Sequence, residues 1–67
     1  MNIVINGDAI VLPETVNSVS RLLEHFHLEQ KVVIVELNQN ILDNSTHAET
    51  ILTDGDRIEI VHFVGGG

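Results

Sequence analysis

The sequence predicts an α+β domain in which one main helix packs on one face of a mixed sheet of four to five strands. Three observations carry that prediction. Apolar residues alternate with period two near both ends of the chain. Between them lies one stretch where apolar residues recur at helical spacing. Turn residues mark the boundaries, most clearly Gly7-Asp8, Asn38-Gln39-Asn40 and Asp54-Gly55-Asp56.

Met1, Ile3 and Ile5 alternate with Asn2, Val4 and Asn6, which reads as a strand. Gly7-Asp8 follows as a two-residue hairpin turn, with Gly where positive φ is needed. Ala9, Ile10, Val11 and Leu12 form the returning strand, and Pro13 ends it for want of an N–H. The period then changes. Val16, Val19, Leu22, Leu23 and Phe26 make one stripe of a helix over about 16–27. Thr15, or more weakly Asn17, is placed to cap its first turn, with Glu14 near the positive end of the dipole. Arg21, Glu24, His25 and Glu29 take the polar side. Residues 31–37 return to strand. Val32, Val33, Ile34 and Val35 are apolar on both faces, which places that strand well inside the sheet. Ile41-Leu42 is a short strand or edge piece, residues 43–50 are polar and irregular with room for one helical turn, and residues 57–63 form the last strand.

The helix is the only element with a stripe to bury against the sheet, so it covers one face. The first and last strands then pair in parallel at the centre. This is the β-grasp, or ubiquitin-like, arrangement. It is expected over residues 1–64, with 65–67 as a flexible glycine tail.

Composition narrows the function. A chain of 67 residues supports one domain, and at 43% hydrophobic it can fill one core. Absence of cysteine excludes disulfides, CxxC redox pairs, thiolate metal sites and a cysteine nucleophile. The net charge is −7, and the basic residues Arg21, Lys31 and Arg57 are scattered, so no stripe exists to neutralise nucleic acid or an anionic membrane. A protein partner with a basic docking site fits better. Met1-Asn2-Ile3 opens no signal-peptide pattern, and no apolar run exceeds four residues, as in Val32-Val33-Ile34-Val35. A cytoplasmic protein is expected.

Val64-Gly65-Gly66-Gly67 follows the last apolar strand. In mid-chain such glycines read as a linker. As a carboxyl terminus they have nothing to link. Without Cβ atoms the tail is thin enough to thread a narrow channel, and its four residues span roughly 13 Å. The group delivered is the Gly67 carboxylate, which is ionised at neutral pH and a poor electrophile. Attack on the α-phosphate of ATP, with Mg²⁺, would activate it as an acyl-adenylate. The chain has no Walker A or nucleotide fingerprint, so that machinery belongs to another protein. The chain reads as a substrate and carrier, not an enzyme. It binds no cofactor stably; ATP and Mg²⁺ are used by the activating partner.

The run Ile58-Glu59-Ile60-Val61-His62-Phe63-Val64-Gly65-Gly66-Gly67 resembles the C-terminus of the thiamine-biosynthesis sulfur carriers, the ThiS type. Ile3-Val4-Ile5-Asn6-Gly7 is similar to that family's first hairpin, Thr15-Val16 with Leu22-Leu23 to its helix start, and Val33-Ile34-Val35-Glu36-Leu37-Asn38 to its third strand. Asp54-Gly55-Asp56 resembles its final turn. The resemblance implies a cycle. A ThiF-type adenylyltransferase would adenylate Gly67. A sulfur donor such as a cysteine desulfurase would convert the adenylate to a thiocarboxylate. A ThiG-type thiazole synthase would use that sulfur to build the thiazole ring of thiamine. Gly67 matches the modified position, with Gly66 and Gly65 before it.

Alternation puts Ile58 and Ile60 on one face of the last strand and Arg57, Glu59, Val61 and Phe63 on the other. Val61, Phe63, Glu59 and Val64 are the candidate partner-binding residues, with one of Val32 or Ile34 added. The four histidines lack metal-ligand spacing and read as solvated or partner-contacting. The serines lack any elbow or base, and Asp54 and Asp56 read as turn chemistry. Three alternatives stand: a carrier like the molybdopterin-synthase small subunit, a protein modifier forming isopeptide bonds, and a passive β-grasp interaction domain.

Overall fold

The alternation at the start of the chain produces a hairpin. In a computed structural model that describes residues 1–62, β1 (Asn2–Ile5) pairs antiparallel with β2 (Asp8–Val11). Ile5 faces Asp8 across the ladder, so the turn is Asn6-Gly7, one residue earlier than the sequence predicts. Both residues have positive φ, 49° and 86°. That is type I′ geometry, whose twist matches the strands it joins. Asn tolerates the left-handed region, so Asp8 is free to begin the second strand.

The helix is shorter than its apolar stripe. α1 spans Val19–His25, not 16–27, and Ser18 caps it in place of Thr15 or Asn17. Ser18 is extended, with φ −141°, and its Oγ accepts from Arg21 N at 3.2 Å. The residues before it are held by tertiary contacts instead. Ser18 bridges to Ile51, and Asn17 O accepts from Leu52 N at 2.9 Å. Val19 N and Ser20 N, orphan donors of a first turn, reach Thr50 O and His47 O at 3.0 and 3.1 Å. Val16 is buried, but from the loop before α1. Glu14 pairs with the Met1 ammonium at 3.3 Å, so it is not the expected partner of the helix dipole. At the other end His27 sits at φ 60°. Leu28 N donates to Leu23 O at 2.7 Å and His27 N to Glu24 O at 3.0 Å. This is a Schellman closure with His where Gly is usual. It leaves Phe26 at the cap, 37% exposed, rather than on the buried stripe.

The second half completes the sheet. β3 (Val33–Leu37) and β4 (Asn40–Ile41) flank a second turn of positive φ, Asn38 at 49° and Gln39 at 72°. A single 3-10 turn, Asn44–Thr46, interrupts the irregular stretch before β5 (Arg57–His62). The strand order is β2-β1-β5-β3-β4, with β5 parallel to β1 and antiparallel to β3. The five-stranded mixed sheet with its one helix is the β-grasp arrangement. β3 is less interior than its composition predicts, because only the two-residue β4 lies beyond it. The one helix covers one face, so the core gathers there around Ile3, Val19, Leu22, Val35 and Ile58.

The turn before β5 is built on Asp56. Gly55 takes φ 90°. The Asp56 carboxylate accepts from Thr53 N at 2.8 Å, Thr53 Oγ1 at 3.1 Å and Asn38 Nδ2 at 3.1 Å. A buried carboxylate needs such partners. Asp56 therefore ties two turns together, as the turn reading of Asp54 and Asp56 expects.

Candidate functional site

The central strand faces two environments. Ile58 is 1% exposed and Ile60 half-buried on the helix side. Arg57, Glu59 and Val61 point to the uncovered side and are exposed. The alternation read from sequence therefore holds as far as His62. Phe63, Val64, Gly65, Gly66 and Gly67 lie outside the described residues.

Register assembles the uncovered face. Ile34 lies opposite Val61, Glu36 opposite Glu59, and Ile41 opposite Glu36. Val32, the residue before β3, is exposed as well. Val61, Ile34 and Ile41 thus adjoin two carboxylates on one exposed face. Of Val32 and Ile34, register places Ile34 on this face. Ile41 and Glu36 were missed. The signal for them is register: once the second turn is fixed at Asn38-Gln39, Glu36 and Ile41 fall on the Val61 side.

The two carboxylates are an electrostatic oddity. Like charges directly opposite in a sheet disfavour it. Among the described residues the one ion pair is Met1 with Glu14, so neither Glu36 nor Glu59 has a countercharge within 4.0 Å. Single exposed apolar residues are ordinary, but these lie side by side with two carboxylates unpaired among the described residues, and Arg57 is the basic residue of β5 on the same face.

The histidines separate into two kinds. His25, His27 and His62 are exposed, as solvated histidines should be. His47 is 7% exposed, its Nε2 has no hydrogen-bond partner, and burial lowers its pKa from the usual 6.5. Sequence reasoning missed this burial because it arises from the loop docking on the start of α1. His47 lines a cavity of about 280 Å³ shared with Ser20, Glu29, Lys31 and Asn44. No group of three or more potential metal ligands occurs among the described residues. Nor is any helix among them long and apolar enough to cross a membrane.

Comparison with known proteins agrees with the fold. The ThiS family model matches residues 2–67. The sulfur carrier protein ThiS of Bacillus subtilis is 43% identical over 63 residues, covering 94% of this chain and 96% of that protein. A thiazole synthase of Paramagnetospirillum magneticum is 37% identical over 67 residues, all of this chain but only 20% of that protein. The crystal structure of the thiamine biosynthesis protein ThiS from Geobacter metallireducens superposes with a TM-score of 0.83 at 33% identity, covering both chains fully. Matching along its length in sequence and in fold, the chain belongs to the ThiS family, the small sulfur carriers of thiamine biosynthesis, and is a carrier rather than a catalyst.

Proposed function

We propose that Gly67 is the residue on which this chain carries sulfur, and that Gly65 and Gly66 let it enter a partner's active site. A carboxylate oxygen of Gly67 attacks the α-phosphate of ATP on a ThiF-type adenylyltransferase. Pyrophosphate leaves and the acyl-adenylate forms. Mg²⁺ and cationic groups of that enzyme stabilise the phosphate charge. A cysteine persulfide supplied by a desulfurase attacks the acyl carbon through its terminal sulfur, and AMP leaves. A thiol then reduces the acyl disulfide with two electrons, leaving a thiocarboxylate on Gly67. Because the cycle consumes ATP, we assign it to the cytoplasm.

The observation that carries the docking half of this reading is the uncovered face of β5. Val61 lies a few residues before Gly67 and shares its face with Ile34, Ile41, Glu59 and Glu36. A partner surface with an apolar centre and a basic side chain between the carboxylates fits it. Phe63 and Val64 follow directly and are assigned to the same contact. A ThiG-type thiazole synthase is the proposed acceptor of the sulfur. The carrier-like segment within a thiazole synthase supports that pairing, since joining two proteins in one chain raises their effective concentration.

The test is intact mass after incubation with a ThiF-type enzyme, ATP, Mg²⁺, a persulfide donor and a thiol. One oxygen is replaced by sulfur if the reading holds. A protein with one residue added after Gly67 stays unchanged. Normal reaction of the extended protein would exclude Gly67 as the site.

A further inference from the structure

Asn6 stands where the sheet loses a strand. The parallel pairing of β1 with β5 stops at Ile5 opposite Ile58, because the chain then turns back through Asn6 and Gly7. Asn6 N still donates to Ile58 O at 2.8 Å. Beyond that, none of the described residues pairs its backbone with β5 on this edge. The Asn6 side chain takes over: Ile60 N donates to Asn6 Oδ1 at 2.7 Å, and Asn6 Nδ2 donates to Ile60 O at 3.2 Å. A carboxamide offers the same C=O and N–H as a peptide group. It therefore replaces the missing strand residue in both directions. The left-handed backbone of Asn6, φ 49°, is the conformation from which it does so.

Asn38 makes a useful contrast. It has the same φ of 49° and also grips β5, but at the opposite end. Its Oδ1 accepts from Arg57 N at 2.9 Å and its Nδ2 donates to Asp56 at 3.1 Å. That end of β5 is also held by β1, whose Val4 N donates to Asp56 O at 2.9 Å. The end beyond Ile58 has β3 on one side and the Asn6 carboxamide on the other.

We propose that Asn6 is a positioning residue for sulfur loading: by holding Ile60 it fixes the end of β5 that precedes the terminal glycines in sequence, and keeps that end in register with the Val61 face. The proposal rests on the reading of Gly67 given above. Without the carboxamide, the end of β5 fluctuates, and a partner must order it on binding. That cost falls on recognition, not on the acyl chemistry.

Asn6→Gly tests this, because glycine accepts the positive φ and removes only the carboxamide. Asn38→Gly is the control, since it removes a comparable grip at the far end. Three quantities are measured on each folded variant: the melting temperature, hydrogen exchange at the Ile60 amide, and kcat and KM for adenylation by the activating enzyme. Both variants should melt somewhat lower than the parent. Asn6→Gly alone should speed Ile60 exchange and raise KM, each by roughly tenfold, with kcat preserved. Asn38→Gly should leave Ile60 exchange and KM at parental values. Unchanged Ile60 exchange in Asn6→Gly, faster exchange with a parental KM, or an equal rise of KM in both variants would each overturn the proposal. If the parent itself is not adenylated, the Gly67 reading falls first and takes this proposal with it.

Discussion

On the helix side of the sheet, Ile3, Val35 and Ile58 are 2%, 0% and 1% exposed; on the opposite side, Val61, Ile34 and Ile41 are 52%, 41% and 71% exposed. β3 and β5 supply residues to both sets, and the residue types are nearly the same. What differs is cover. One short helix can close one face, and this small domain gains its stability from that face. The β-branched residues opposite satisfy strand propensity without burial, so folding leaves them available. Buried and exposed positions thus alternate along β5: Ile58 and Ile60 turn inward, Glu59 and Val61 outward, and the proposed docking uses the outward pair.

The contrast can be broken most forcefully at Ile58 and Val61. Ile58→Ala should cost about 2–5 kcal/mol in chemical denaturation, enough to unfold much of so small a protein. Val61→Asp should change stability by less than about 1 kcal/mol, yet weaken binding to the activating enzyme by roughly thirtyfold in calorimetric titration. If Val61→Asp unfolds the protein, or binds normally, the division of labour between the faces is wrong.

Glu59→Gln sharpens the comparison on the outer face itself. Removing one of two opposed carboxylates should stabilise the fold by about 0.2–1 kcal/mol. The same change should slow association with a basic partner, and the loss should shrink as salt rises. Faster or salt-independent association in stopped flow would count against an acidic centre meant for a cation.

The smallest expected effect belongs to the inner side. Burial lowers the folded pKa of His47 below its usual 6.5. The folded state then binds fewer protons than the unfolded state, so stability is complete above about pH 6.5 and declines as pH falls below it. Replacing His47 with Gln should flatten that decline in melting temperatures measured between pH 7 and 5. Identical profiles would show that the imidazole is not desolvated.

Much of this was legible from residue order. The switch from period two to helical spacing and back reveals α1 and the longer strands on either side of it, and alternation along β5 separates Ile58 from Val61. The errors arose where tertiary contacts outrank local pattern. Val16 has the right spacing for the helix, but Asn17 and Ser18 bond to Leu52 and Ile51 and delay its start. Gly7-Asp8 looked like the turn because Gly marks positive φ, whereas Asn6 shares that conformation and uses its side chain on Ile60. His47 looked solvated because nothing local shows a loop closing over it. On the outer face, Glu36 and Ile41 come from strands whose register no single segment reveals.

The central claim is that sulfur leaves this chain from its terminal glycine. The most direct measurement loads the carrier with heavy sulfur at Gly67, adds a ThiG-type thiazole synthase with its other substrates, and weighs the thiazole product. The account predicts one heavy sulfur in the ring and a carrier returned to its carboxylate mass. Thiazole containing only light sulfur, with the label still on the carrier, would contradict it.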